Sequence, residues 1–211
     1  VAKPGPRRPA AASEELRTRL VDAAVAVLAR DGFAHTSARA VALEAGTVNG
    51  SIYYYFGSMD GLLAATARAL AERGIARIRE GLGGDLAHLE WPARLGAVMR
   101  AEADGADGRA VMELFVGARA SPELATEVRA AIDTAIAYAT TEMEAVLGSS
   151  PITQLIPVPL VAELAAAAFL GIEVLTQNGR EIDLERLAAA LAIGIQLIGG
   201  APVAAPERPL R

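Results

Sequence analysis

Residues 45–47, Ala-Gly-Thr, break two short stretches of helical pattern. One runs from Thr36 or Ser37 to Glu44, the other from Val48 to Phe56. Glycine just past a helix is the usual stop. Two helices of about two turns each, joined by a turn containing glycine, are the sequence form of a helix-turn-helix. That one break constrains the fold more than any bulk property of the chain.

The flanks extend the pattern. Leu16, Leu20, Ala23, Ala24, Val27 and Leu28 recur at helical spacing, which predicts a helix over 14–31 with Ser13 as its cap and Asp31-Gly32 as its end. Gly57-Ser58 breaks the chain again, and Ser58 can cap a longer helix running toward Arg79. Further helices are expected from Pro92 to about Ala103, over 108–120, from Ser121-Pro122-Glu123 to Leu147, over 160–177, and over 183–198 with Asp183 as cap. Neither strand-like alternation nor a repeat is visible. Hydrophobic residues make up 53% of the 211, with alanine the commonest of them, and aromatics only 4%. Alanine favours helix and disfavours strand, so the expected class is all-α. The expected organisation is a flexible arm over 1–12, a three-helix helix-turn-helix domain over 13–58, a helical ligand-binding and dimerisation domain over 59–200, and a flexible tail over 201–211.

Several chemistries are excluded. The absence of cysteine removes disulfides, thiolate metal sites and cysteine nucleophiles. His35 and His88 are too far apart in sequence to read as a ligand cluster, and neither a P-loop nor a dinucleotide fingerprint occurs. No metal, no cofactor and no enzymatic activity are expected. Uninterrupted apolar runs such as Leu164–Ile172 fall short of the roughly 20 residues of a membrane span, and the N-terminus shows no signal-peptide pattern. A soluble, cytoplasmic protein without a membrane partner is expected. The net charge of −5 is unevenly spread: seven Lys/Arg face six Asp/Glu in residues 1–60, against 13 and 19 in the remainder. The weak asymmetry makes the N-terminal part the side for nucleic acid.

On a helical wheel, Ile52 and Phe56 share one face with Val48 beside them, which reads as the core side. The opposite side carries Thr47, Gly50, Ser51, Tyr53 and Tyr54, with Asn49 and Tyr55 on the flanks. Small residues let a backbone approach a groove, and hydroxyls and an amide can bond base edges or phosphates. The bland alternative is an ordinary surface helix with half-buried tyrosines. Arg39, early in the preceding helix, reads as a phosphate contact or as a solvated helix charge.

The block Gly32-Phe33, Thr36-Ser37, Ala45-Gly46, Gly50-Ser51-Ile52-Tyr53-Tyr54-Tyr55-Phe56-Gly57-Ser58 and Leu62-Leu63 resembles the DNA-binding signature of the TetR family of transcriptional regulators. The resemblance covers about residues 14–65. It implies a recognition helix over 48–55 in the major groove, with phosphate contacts from Thr36 or Ser37, Arg39, Tyr53, Tyr54 and the helix start near Ser58. Three departures stand out. Asn49 occupies a place where the family often has lysine, Met59 replaces a usual charge, and Gly61 removes a carboxylate that would complete a capping box. Fewer neutralised phosphates imply a shallower salt dependence, about −0.9 per contact.

The last two expected helices are apolar nearly all round, so more than one side must be covered. Leu164, Ala168, Ile172, Leu191 and Ile195 are expected at a two-fold interface, with burial inside a monomer as the alternative. A homodimer reads a palindromic operator with half-sites about 34–36 Å apart. Trp91, Met99, Met112, Phe115, Tyr138 and Phe169 suit an adaptable pocket, although such residues at helical spacing are most often core. The resemblance implies a small-molecule effector there, apolar or amphipathic, whose binding releases DNA from a repressor. The competing function is a helical ligand-binding or scaffold protein that has lost DNA binding.

Overall fold

The computed structural model describes residues 10–83, 105–147, 153, 156–183, 186–187 and 189–190. Among them are seven α-helices and no strand. They are α1 (Ala10–Asp31), α2 (Ala38–Glu44), α3 (Asn49–Phe56), α4 (Met59–Gly83), α5 (Ala106–Ala118), α6 (Pro122–Leu147) and α7 (Val158–Gln177). The all-α expectation holds. The helix expected over 92–103 lies outside the described residues, as do His88, Trp91, Met99, Leu191 and Ile195. Of the stretch expected to be helical over 183–198, Arg186, Leu187, Ala189 and Ala190 are helical. Asp183 Oδ1 accepts the Arg186 N–H at 2.9 Å, as a capping aspartate should.

The described helices form two compact units. The first comprises the chain up to Ala69 together with Arg109–Val128. Its centre is the apolar stripe of α1: Leu16, Leu20, Ala24 and Val27 are at most 3% exposed and pack with Val41 and Ala42 of α2, Ile52 of α3 and Leu62 of α4. The i, i+3, i+4 spacing puts these side chains on one face, and burying each contributes about 1.5–3 kcal/mol for the larger aliphatics. The helix starts earlier than expected. Ala10–Ala12 join it, because alanine propagates a helix without a dedicated cap. Ser13 therefore sits inside α1, and its hydroxyl donates to the Tyr55 phenol oxygen at 3.3 Å.

The link from α1 to α2 is a single 3-10 turn, Phe33–His35. α5 holds it in two ways. The Phe33 N–H donates to Glu113 Oε2 at 2.7 Å, and the Phe33 ring lies where Gly117 has no side chain, so that a Cβ there would come within 2.2 Å of the ring. Elsewhere in this unit Arg30 grips Asp31 with two hydrogen bonds and Glu44 with a third at 2.8 Å, tying the ends of α1 and α2. Ser121, which caps α6 by accepting the Leu124 N–H, donates its hydroxyl to Asp60 at 2.7 Å.

The second unit takes α4 from Leu70, α6 from Arg129, and α7. Arg77 pairs with Asp107 at 2.7 Å, and the Arg79 guanidinium lies over the Tyr138 ring, 5.2 Å from its centre. α7 starts with proline in its first turn and ends at Asn178-Gly179. Val158, Ala162, Ile172 and Glu173 form its covered side, while Leu160, Leu164, Val174 and Leu175 are exposed. Ile172 is 7% exposed and Leu164 60%, so Ile172 does not stand on the open face with Leu164 and Ala168, as had been expected. A helix apolar all round cannot announce which side its own chain covers. Among the described helices α7 is long and apolar enough, by length and composition, to cross a membrane. It also holds Glu163 and Glu173, and acids inside a span are costly and rare.

Candidate nucleic-acid interface

The geometry of the interface begins with caps. Ser37 precedes α2 in an extended conformation, and its Oγ accepts the Ala40 N–H at 3.3 Å. α2 closes with the Gly46 N–H on the Leu43 carbonyl and the Thr47 N–H on the Ala42 carbonyl at 2.9 Å. Gly46 has φ +64, a left-handed conformation that lets the chain turn sharply into α3. Ser58 caps α4, its Oγ accepting the Gly61 N–H at 2.8 Å. α2 thus has its ends satisfied locally, α3 begins without a side-chain cap, and Ile52, fully buried, anchors α3 to the core.

That anchor decides which side chains of α3 face solvent. Asn49, Gly50, Tyr53 and Tyr54 are exposed, Tyr54 at 80%. Gly50 lies three residues before Tyr53 and four before Tyr54, and Asn49 lies four before Tyr53, so they share one side of the helix. On α2, Arg39 is exposed and makes no ion pair among the described residues. This side of α3 therefore offers an amide and two phenols around a backbone without a bulky side chain at Gly50, and α2 adds an exposed guanidinium.

Five residues depart from the expected exposure. Val48 was placed beside the core but is 71% exposed, because it is the extended residue before α3 and helical spacing does not govern it. Tyr55 turns inward: it packs on the core cluster, its phenol meets Ser13, and its ring stands edge-on to Tyr54 with centroids 4.9 Å apart. Thr36 is half-buried, and its hydroxyl donates to the Gly32 carbonyl at 2.8 Å. Thr47 and Ser51 are also half-buried and share a hydrogen bond of 2.9 Å. Met59, which cannot supply the charge usual at its place, packs against the cluster. Leu43 at 79% exposure, together with Val48, adds an apolar edge beside the turn that periodicity did not reveal.

Residues 20–66 match the family model for bacterial regulatory proteins of the tetR family. Over those residues the chain is similar to the TetR-family helix-turn-helix domain. The solved structures agree with that domain and extend the likeness over the fold. A transcriptional regulator from Rhodococcus sp. Rha1 is 27% identical, with a TM-score of 0.64, covering 90% of this chain and 99% of its own. A Rhodococcus sp. protein assigned to the TetR family of transcriptional regulators is 22% identical at a TM-score of 0.70, covering 88% and 99%. The fatty acid degradation regulator FadR from Bacillus halodurans is 18% identical at 0.62, covering 96% and 100%. No curated protein sequence matches the chain. The TetR-family turn explains the spacing of the signature: Ala45-Gly46 is the reversal, Ile52 the anchor, and Gly57-Ser58 the stop and the next cap.

The residues expected to meet a ligand fall in both units. Met112 and Phe115 lie half-buried on α5 in the first, and Tyr138 and Phe169 lie half-buried in the second. The Tyr138 hydroxyl oxygen is closed off from solvent without a hydrogen bond of good geometry. Burial pushes its pKa above the ordinary phenol value, and Arg79 acts against that shift.

Proposed function

We propose that this chain is a ligand-responsive TetR-type transcriptional regulator, a repressor that binds palindromic operator DNA as a homodimer and is released by a small apolar or amphipathic effector. The observation that carries the reading is the outward side of α3. Exposed Asn49, Gly50, Tyr53 and Tyr54 are held out by buried Ile52, with Arg39 and Ser37 at the start of α2. Asn49 suits adenine, the phenols and Arg39 suit phosphates, and the exposed Val48 methyls suit a thymine methyl group. Thr36, Thr47, Ser51 and Ser58 contribute mainly by shaping the turn and the caps, and Tyr55 by bracing α3 against α1.

The same reading assigns residues 13–58 to DNA and 59–200 to effector and dimerisation. The open side of α7, with Leu160, Leu164, Ala168 and Leu175, is covered by the same helix of a second copy rather than by lipid, which makes the protein cytoplasmic. Two copies place two recognition helices on one duplex. The effector lies within the second unit, beside the half-buried Tyr138 and Phe169. Its binding favours a spacing of the recognition helices that fits the operator poorly. The chain acts as a binding protein and not as an enzyme.

The test is binding to duplex DNA from immediately upstream of its own coding region, across a salt series and with candidate effectors. Sequence-selective binding that weakens with salt supports the regulator. Absence of binding at low salt, in a protein that still binds small apolar ligands, would favour the scaffold reading.

A further inference from the structure

Residue 61 is glycine where the family resemblance leads one to expect a carboxylate, and the junction between α3 and α4 gives a physical reason. Gly61 is the third residue of α4, and its N–H is engaged by the Ser58 cap. The last carbonyl of α3, that of Phe56, lies against it. A Cβ at position 61 would stand 2.2 Å from the Phe56 oxygen and 3.3 Å from both the Phe56 carbonyl carbon and Ser58 Oγ. The obstacle is backbone, so no side-chain rotation relieves it. A Cβ on Gly50 of α3 would meet nothing within 4 Å, so the crowding belongs to this junction and not to α3 as a whole.

We propose that Gly61 is a positioning residue for the interface: having no side chain, it lets the first turn of α4 close on the Phe56 carbonyl and so sets where the last turn of α3, with Tyr53 and Tyr54, stands. The consequence for DNA rests on the function proposed above, whereas the geometry does not. An ordinary carbon–oxygen contact is about 3.3 Å, so any side chain at 61 drives the two turns apart by roughly 1 Å. Across the eight residues of α3, about 12 Å at 1.5 Å per residue, that is a tilt of about 5°. A site that must be held within about 0.5 Å feels such a shift.

If Gly61 merely occupied a helix start, alanine would be the better residue, since it is the stronger helix former. Gly61→Ala would then raise the melting temperature and leave everything else alone. The positioning role expects the reverse. In the full-length protein, Gly61→Ala should shift backbone amide resonances over residues 53–62 while leaving those of α1 in place. It should not raise the melting temperature, and it should weaken binding to the upstream duplex by about 10–100-fold. Gly50→Ala, unobstructed, serves as the stability comparator and should raise the melting temperature.

Should Gly61→Ala fail to accumulate as folded protein, it is combined with one glycine inserted after Gly57, which lets the turns separate. That protein should fold and bind DNA weakly. Wild-type affinity in either variant, or unshifted resonances at 53–57 in Gly61→Ala, overturns the proposal. If wild-type protein binds no duplex, the regulator reading fails, and the resonance shifts alone decide the role of Gly61.

Discussion

α3 and α7 both leave side chains uncovered, and the two exposed surfaces differ in kind. α3 is eight residues long and hangs on one buried side chain, Ile52. What it shows to solvent is a small residue, an amide and two phenols. α7 is twenty residues long and shows leucine and valine. The first surface can exchange its hydrogen bonds with water for bonds to a phosphate or a base edge at little cost while free. The second gains only by losing water altogether. The contrast implies that α3 tolerates changes on its outer side without unfolding, and that α7 tolerates added charge there poorly if a second copy covers it.

The largest effect belongs to the anchor. Ile52→Ala should cost about 2–5 kcal/mol of stability through the lost burial and the cavity left behind, read as a lowered midpoint in chemical denaturation. DNA binding should fall with it, since α3 has no other fully buried side chain. A loss below about 1 kcal/mol would mean that α3 is held by the turns on either side of it and not by the core.

On the open side of α7, Leu164→Asp puts one acid from each copy into the proposed interface. Equilibrium sedimentation should then show the dimer constant weakened by at least about a hundredfold, the equivalent of roughly 3 kcal/mol for an uncompensated buried charge. Helix content should be retained. A dimer of undiminished affinity would show that something else covers this face, and the contrast drawn here would lose one of its sides.

The difference between the two helices also explains what could be read from the amino acids alone. The breaks at residues 32, 46 and 57 were legible because glycine and its polar neighbours mark helix ends chemically, and the four short-range caps at Ser37, Ser58, Ser121 and Asp183 each act within three residues. Ile52 was legible because α3 has a polar side to contrast with it. Long-range partners left no local trace. Tyr55 turns inward to a hydroxyl 42 residues away, and Phe33 is held by a carboxylate 80 residues away. Val48 was misplaced because a wheel was applied one residue before the helix begins. α7 has no polar stripe, so its pattern could not separate Ile172 from Leu164.

On the polar side of the comparison the effects are smaller and concern binding alone. Tyr54→Ala and Arg39→Ala should each weaken operator binding by about tenfold, the scale of one charge-assisted hydrogen bond, with circular dichroism unchanged. The two should also differ. Arg39→Ala removes a cation from each half-site and should flatten the plot of log affinity against log salt by about 0.9 per phosphate lost. Tyr54→Ala should lower the line without changing its slope. Equal slopes for wild type and Arg39→Ala would take Arg39 out of phosphate contact.

The smallest effect tests whether the ion cluster between the ends of α1 and α2 matters. Arg30 holds the Asp31 carboxyl below its ordinary value, chiefly through the paired hydrogen bonds and with some opposing desolvation. The folded state therefore gives up this proton more readily than the unfolded chain does. Whatever stability that confers is complete above the unfolded carboxylate value, about 3.9, and fades as the pH falls through the lower folded value. Asp31→Asn should flatten the acid limb of a stability-against-pH curve below about pH 4 and leave the neutral plateau nearly untouched, because the cluster is solvent-exposed and such pairs contribute little. A plateau lowered as much as in Ile52→Ala would mean that α1 and α2 are joined by charge rather than by the apolar stripe beneath it.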